Sequence, residues 1–367
     1  MAKLKIALFI PTLNGGGAER VMLLLAEEFT NCSHDVDLLL VRAVGPYLSQ
    51  IPPSVRIINF NRKKPLTSIP FIISYLRRER PQAVISSFSH ANLAMLWAIK
   101  LSFLKITSIV REENILSMDL KVSKNISSSI MPWLIKIFYP MATRVVSVSK
   151  GVANDLALTT GLKDNNMSII YNPIDIYSIQ SKALLRVDHP WLIENKFPVI
   201  ISVGRLCEQK DFLTLIKAFS FVNQTIDAKL IILGDGEMRS QLEQKIDEFK
   251  LYDKIDLPGF VDNPFAFIAR SSLFVLSSRW EGFGNVIVEA LACDTPIVAT
   301  NCPSGPSEIL CQGKYGRIVP VGNSEALALE IIATLKGDIP RFNQHKAISR
   351  FAKKKIADDF LKILEQA

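Results

Sequence analysis

Two doubly wound α/β domains are what this sequence predicts, and three observations carry the prediction. Short apolar runs of strand length alternate with helix-period segments along the whole chain, the pattern of parallel sheets covered by helices on both faces. At 367 residues the chain is longer than one domain usually runs, and two domains of that size can each bury a core. Midway the pattern breaks: "IIYNPIDIYSI" (169–179) is followed by the polar, irregular "RVDHPWLIENKFP", before a fresh strand opens at "VIISVGR" (199–205).

The elements follow in order. "KIALFIP" (5–11) reads as a first strand ending in a glycine turn, and "AERVMLLLAEEFT" (18–30) as the helix after it. "VDLLLV" (36–41), "QAVISSF" (82–88), "ITSIVRE" (106–112) and "RVVSVS" (144–149) are short, near-continuous apolar runs, as expected of strands buried on both faces. The second half repeats the logic with 199–205, "KLIILGDG" (229–236), "KIDLPGFV" (254–261), "SLFVLSS" (272–278), "PIVAT" (296–300) and "GRIVPV" (316–321). The expected division is 1–175 and 196–340, two Rossmann-like domains, with 341–367 ending in a basic helix, "RFAKKKIADDFLKILEQ" (350–366), that packs back on the first. Ligands of such sheets sit beyond the carboxyl ends of the strands, so chemistry belongs in the loops there.

Composition narrows the function classes. Nearly half the residues are apolar and about a fifth charged, ordinary for a folded globular chain. The best candidate for a membrane span, "LAMLWAIKLSFLKITSIV" (93–110), is broken by Lys100 and Lys105. The N-terminal apolar run lacks a small-residue cleavage site and reads as a strand, not a signal peptide. Five cysteines, with no C-x-x-C pair, suggest neither a disulfide framework nor a zinc site, and fit a reducing cytoplasm. Up to Asn172 there are 20 Lys and Arg against 11 Asp and Glu; beyond it, 23 against 24. The whole basic excess lies in the first half. Nucleic acid, anionic lipid or a phosphorylated substrate would each match it.

Three loop motifs stand at strand ends. "PTLNGGGAER" (11–20) sets three glycines before a helix; it is either a tight turn or a place where backbone N–H groups and a helix dipole meet an anion. It is not G-x-G-x-x-G, and no acid closes a second strand where a dinucleotide ribose needs one. In "VGRLCEQKDF" (203–212), Arg205 and Lys210 can clamp a diphosphate, or form a solvated basic loop with Glu208. In "SSRWEGFGNVIVEALA" (277–292), Gly282 and Gly284 free a turn before a helix expected to begin at Asn285 as N-cap. Glu281 stands ahead of that helix and Glu289 about one turn inside it. They bracket a ligand whose phosphates rest on the helix N-terminus, or they are a capping acid and a helical Glu. Glu289 lies in an apolar run, where a carboxylate is costly without a partner.

With these motifs in view, the chain resembles the retaining glycosyltransferases of the GT-B fold in family GT4, which use nucleotide-sugar donors. "GGGAER", "VGRLCEQKDF", "GDGEMRSQLE", "LPGFVDNP" and "EGFGNVIVEALACDTPIVATNCPSGPSEIL", the last matching the family's E-x7-E region, occur in the family's order over nearly the whole chain. It looks most like bacterial enzymes that extend lipid-linked oligosaccharides.

The resemblance implies two facing domains with a central cleft, catalysis by Glu281, Arg205 and Lys210, no metal or other cofactor, and retention by same-face attack. Arg205 and Lys210 match the diphosphate clamp, Glu289 the ribose-binding acid, and Glu281 the acid on the donor-sugar hydroxyls. Gly282, Phe283, Gly284, Asn285 and Val286 would offer backbone groups to sugar and phosphate. Gly234 would also line the donor, Phe260 and Val261 would lie by the nucleobase, and Gly15, Gly16 and Gly17 would close over the phosphates. The histidine that many relatives carry near the end of the fourth strand is not in clear register here; His90, in "ISSFSHANLAMLW", stands close by. His90, and Glu112 in "VREENI", are the candidates for acceptor contact.

The expected partners are a nucleotide sugar, with UDP favoured over GDP, a lipid-linked glycan acceptor and an anionic membrane surface. "IPFIISYLRRERP" (69–81) and "KNISSSIMPWLIKIFYPMATR" (124–144) mix aromatic and aliphatic residues with Lys and Arg, as interfacial elements do and as core helices with basic outer faces also do. Cytoplasmic placement against the inner face of the membrane follows from the first alternative. Two other functions compete: a UDP-sugar 2-epimerase of similar fold, for which the catalytic acids and histidines are not found in matching motifs, and a nucleic-acid-binding protein, for which no interleaved basic and aromatic module is found.

Overall fold

The computed structural model describes residues 3–122, 126–163, 166–194 and 196–365. The chain divides into two compact units, Met1–Ile174 with Phe351–Ala367, and Asp175–Arg350. The segments 175–195 and 341–350 therefore belong to the second unit, and the return to the first begins at Phe351.

The first unit holds seven parallel strands: β1 (Lys5–Ile10), β2 (Asp35–Leu40), β3 (Arg56–Asn59), β4 (Ala83–Ser87), β5 (Thr107–Glu112), β6 (Arg144–Ser147) and β7 (Met167–Ile169), in the order β3-β2-β1-β4-β5-β6-β7. Five of them fall on the apolar runs. The outer strands β3 and β7 are short and do not stand out as such runs. Their residues are largely half-buried or exposed. Asp37 of β2 is buried but held: Arg56 donates to both its oxygens (2.7 and 2.5 Å) and the Tyr75 hydroxyl donates at 2.6 Å. That cluster pins the edge strand to β2 and to the helix Ile69–Glu79. Arg56 and Lys5 together hold the Glu79 carboxyl down to about 2.

The two faces of this sheet are covered differently. Ala7, Phe9, Leu39 and Val84 pack under the helices Ile69–Glu79 and Ser89–Ser102, and Val110 and Val145 under Ile126–Phe138. On the other face Ile6, Leu8, Ile10 and Val146 meet Gly17–Asn31 and the C-terminal helix Lys353–Glu365. The Ile, Phe and Leu residues of that last helix recur at helical spacing, so Ile356, Phe360, Leu361 and Leu364 share one buried face. The returning chain is locked in by hydrogen bonds between Ile174 and Phe351 and between Lys353 and Ile174 (2.8 and 3.0 Å), and by Lys353 on Glu27 (2.9 Å).

The second unit holds six parallel strands: β8 (Val199–Val203), β9 (Lys229–Leu233), β10 (Ile255–Gly259), β11 (Leu273–Leu276), β12 (Ile297–Thr300) and β13 (Arg317–Val319), ordered β10-β9-β8-β11-β12-β13. All six fall on the predicted runs. The stretch 169–179, where the sequence pattern breaks, contains the end of β7 and the start of the helix Ile176–Ala183, capped by the Asp175 carboxylate, which accepts from Ser178 N (3.0 Å).

Phe360 is fully buried against the first sheet, so Phe360→Ala should lower stability by about 3–5 kcal/mol. Hydrogen exchange is the measurement: peptides of β1, β2 and the helix Gly17–Asn31 should lose protection while those of the second unit keep theirs.

Candidate functional site

Strand order decides where the loops of each unit open. In the second unit the chain runs from β8 outward to β9 and β10, then returns to place β11 on the other side of β8. The loops after β8 and β11 therefore leave in opposite directions, which makes a crevice at the carboxyl ends. Arg205 and Lys210 stand in the first loop and Glu281 in the second. The first unit has the same switch between β1 and β4, and there the turns and first helical residues after the strands carry Gly15–Gly17 and His90.

Within the second unit the two loops are joined through charge. Lys210 Nζ lies 2.5 Å from Glu281 Oε1, and Ser278 Oγ donates to the same oxygen at 2.6 Å. Glu281 is buried, so these donors offset the cost of desolvating a carboxylate. Its second oxygen, Oε2, accepts no hydrogen bond among the described residues. Arg205 is exposed and its guanidinium makes no ion pair or hydrogen bond among the described residues.

The turn from Glu281 ends at Gly284, with φ +95°, and the helix Asn285–Ala292 starts immediately. Gly284, not Asn285, is the N-cap, and Asn285 is the first helical residue. Asn285 and Val286 thus present first-turn N–H groups. Phe283 is buried beside them. Glu289 is 7 % exposed among buried Ile287, Val288 and Ala290. Loop spacing is set by glycine: a Cβ on Gly234 would fall 1.9 Å from Gly204 O, and one on Gly305 would fall 1.8 Å from Phe283 O. No larger residue fits at either point. Phe260 is 76 % exposed just after β10, with Val261 half-buried beside it.

In the first unit, Gly15 adopts φ +99°, Gly16 caps the helix Gly17–Asn31, and Gly17 opens it. His90 is exposed on the first turn of the helix Ser89–Ser102. The residue between β4 and that helix, Phe88, holds φ +75°, a region a bulky side chain rarely adopts and one that marks functional turns.

Glu112, a candidate for acceptor contact, lies buried at the end of β5. It is 4 % exposed. One carboxylate oxygen accepts from the Tyr139 hydroxyl and from Asn92 Nδ2 (3.1 Å), and the other from Ser89 Oγ (3.1 Å). Burial outweighs these bonds, and with the neighbouring Glu113 pushes the carboxyl up to about 7. The neighbouring Glu113 accepts from Ser87 Oγ and lies 2.7 Å from Nη1 of fully buried Arg111, which also donates to Asn172 Oδ1 at 2.8 Å. Both acids of "REEN" are thus drawn inward, the Glu113 side chain being 7 % exposed.

Against family models, residues 15–177 match Glycosyltransferase Family 4 and residues 187–355 match Glycosyl transferases group 1. The chain is 31% identical, over 98% of its length and 99% of the relative's, to an N-acetylgalactosamine-N,N'-diacetylbacillosaminyl-diphospho-undecaprenol 4-alpha-N-acetylgalactosaminyltransferase of Campylobacter jejuni. Among solved structures it is similar to a glycosyltransferase of Rickettsia africae (TM-score 0.82, 19% identity, 100% of this chain and 99% of that one). It is also similar to HepE of Anabaena in complex with UDP and glucose (TM-score 0.81, 20% identity, 99% of this chain and 100% of that one).

A raised carboxyl pKa stabilises the fold below the unfolded value, and that contribution is lost as pH climbs through the folded one. For Glu112 the window runs from 4.5 to about 7. Relative to Glu112→Gln, which cannot ionise, the wild type should lose on the order of 3 kcal/mol across that window. Thermal melts of both proteins at half-unit pH steps check it.

Proposed function

The chain belongs to the GT-B glycosyltransferases, family 4 in its first half and group 1 in its second, and from that premise we propose that it is a retaining enzyme that moves a hexose or N-acetylhexosamine from a UDP-linked donor to a polyprenyl-diphosphate-linked glycan at the cytoplasmic face of a membrane. Family membership favours transfer over the epimerase and nucleic-acid readings. The observation that carries the proposal is the Lys210–Glu281 pair at the switch of the second sheet, with an unpaired guanidinium, Arg205, in the same loop as Lys210.

The chemistry follows from charge. Departure of a nucleoside diphosphate builds negative charge on its oxygens, and stabilising that charge is the largest service a site can render. Arg205, Lys210 and the first-turn N–H groups of Asn285–Ala292 would supply it without a bound divalent cation. Glu281 anchors Lys210 through Oε1 and would offer Oε2 to the donor-sugar hydroxyls. Glu289, one turn inside the helix, would accept from the ribose. The acceptor would then attack the oxocarbenium-like sugar on the face the diphosphate leaves, so no second carboxylate nucleophile is required. A UDP complex of a structural neighbour and the undecaprenol-linked acceptor in a relative's name support the donor and acceptor classes.

The membrane face would be the helix layer Ile69–Glu79, Ser89–Ser102 and Ile126–Phe138. Its outer surface shows Phe71, Leu101, Phe103, Trp133 and Ile137 exposed among Arg77, Lys100, Lys105 and Lys136. Ile130, Trp133 and Ile137 follow helical spacing on one side. Residues 124 and 125 of the segment predicted for this role lie outside the described residues. Among the described residues no helix is long and apolar enough to cross a membrane.

Glu289→Ala should abolish sugar transfer while the protein keeps its thermal transition; full activity in that variant overturns the donor assignment. Of a panel of nucleotide sugars, UDP-linked ones should raise the melting temperature, with EDTA making no difference, and the product anomer seen by NMR should match the donor's. Trp133→Ala combined with Phe103→Ala should reduce sedimentation with phosphatidylglycerol vesicles about tenfold or more, given ~1.5–3 kcal/mol per buried side chain, and leave binding of UDP unchanged.

A further inference from the structure

Lys210 and Glu281 stand on separate loops, and the residues between those loops set the distance between them. Asp211 follows Lys210 directly. It adopts φ +48° and ψ +47°, left-handed for a residue with a side chain, and caps the helix Phe212–Val222: its carboxylate accepts from Thr214 N (3.4 Å) and Thr214 Oγ1 (2.8 Å). The side chain is 2 % exposed, and the charged group on it is Arg279, whose Nε lies 3.1 Å from Asp211 Oδ2. Arg279 reaches it from the other loop, two positions before Glu281.

The same residues connect the loops again through their backbones. Arg279 N donates to Gln209 O (2.8 Å), Gln209 Nε2 donates to Trp280 O (2.9 Å), and Ser277 Oγ donates to Lys210 O (2.7 Å). Arg279 Nη1 adds a bond to exposed Glu208 (3.2 Å). Of these links only Arg279 to Asp211 joins a buried charge, and a buried carboxylate that loses its cation does not keep its place.

We propose that Arg279 is a positioning residue: by holding Asp211 it fixes Lys210 at contact distance from Glu281 and so aims the ammonium at the departing diphosphate. The proposal rests on the donor-site reading above. It requires no contact between Arg279 and substrate. Arg279 is half-exposed, and it and Asp211 line a cleft of about 440 Å³ together with Thr214, Lys217, Lys245 and Ser324. Lys245 is paired to Glu248 (2.8 Å), and neither it nor Lys217 makes an ion pair with Asp211. The cleft opens Asp211 to a small cation once the arginine is cut back.

The experiment compares UDP release from UDP-galactose and UDP-N-acetylgalactosamine, in the presence of membrane extract as acceptor source, for Arg279→Ala, Arg279→Lys, Asp211→Asn, Lys210→Ala and the double variant of Arg279→Ala with Lys210→Ala. Asp211→Asn is chosen because Asn tolerates the left-handed conformation and keeps a capping oxygen while losing the charge. Misplacement by about an ångström costs about a hundredfold, so Arg279→Ala and Asp211→Asn should each lower kcat about 10- to 100-fold with the donor KM changed less than about threefold. Arg279→Lys should recover part of the rate. Methylguanidinium at millimolar concentration should restore Arg279→Ala but not Asp211→Asn, a readout that general destabilisation does not reproduce. On the Lys210→Ala background the arginine substitution should cost little more, because its effect runs through that lysine. Full activity of Arg279→Ala beside a slowed Lys210→Ala overturns the positioning role alone, as do losses that multiply in the double variant or a failure of methylguanidinium to rescue. Full activity of Lys210→Ala overturns the clamp reading beneath it.

Discussion

A carboxylate buried at the end of a parallel sheet has to be held by donors, and in the second unit much of the loop architecture follows from holding Glu281. Its own loop offers one hydroxyl, the rest of the turn being largely glycine and aromatic, so a cation must come from elsewhere in the chain. Ser278, from the same loop, supplies one donor and Lys210, from the loop after β8, supplies the other, both on Oε1. Bringing Lys210 there makes the chain reverse sharply behind it, which places Asp211 in a left-handed conformation at a helix start. Asp211 is then itself buried and needs a cation, which Arg279 provides. One buried charge thus calls up the next, and the close approaches at Gly234 and Gly305 let the loops meet at the necessary spacing.

The first unit resolves the same problem in another way. Glu112 has three hydrogen-bond donors and no cation, and burial leaves it near neutral pH. Glu113 has Arg111. Two neighbouring acids thus have different partners, hydroxyl and amide donors for one and a guanidinium for the other. Glu112 then serves to tie the Ser89–Ser102 helix to β5 and to Tyr139. Arg111 carries the connection onward to Asn172, just before the chain leaves this unit. The polar groups under β4, β5 and β6 are in that sense a framework for the loop that holds Glu113.

Much of this was legible in the sequence because parallel strands are buried on both faces and so read as apolar runs. Every strand of the second unit declared itself that way. The edge strands β3 and β7 did not, since half of each faces away from the core. The site followed the same rule. Glu281, Lys210 and Arg205 are polar residues directly after apolar runs, so a local pattern finds them. Strand order is not local. Nothing in the sequence indicates that β11 lies beside β8, and without that neighbour relation neither the contact of Lys210 with Glu281 nor that of Asp211 with Arg279 can be read. Asn285 was expected as the N-cap from residue type, but Gly284 takes the place because the turn needs a positive φ there. The partners of Glu112 were not legible either, because Tyr139, Asn92 and Ser89 reach it from other elements.

The charge asymmetry takes on a physical meaning once it is mapped onto layers. Both faces of the first sheet are covered by helices, yet their outer surfaces differ. On the C-terminal helix Lys353–Glu365 four lysines stand against three acids, with Lys355 and Lys362 both on Asp359 and Lys353 on Glu27, so that face is close to neutral and self-paired. The opposite layer exposes large apolar side chains beside lysines and arginines. Arg62, just before that layer, lies with its guanidinium 4.0 Å from the Phe71 ring centroid, so cation and aromatic group occupy one patch. A surface built to bind nucleic acid needs its positive charge along a groove or on a stacking platform. Here the cations instead flank an apolar helix layer, the arrangement that the proposed interfacial role requires.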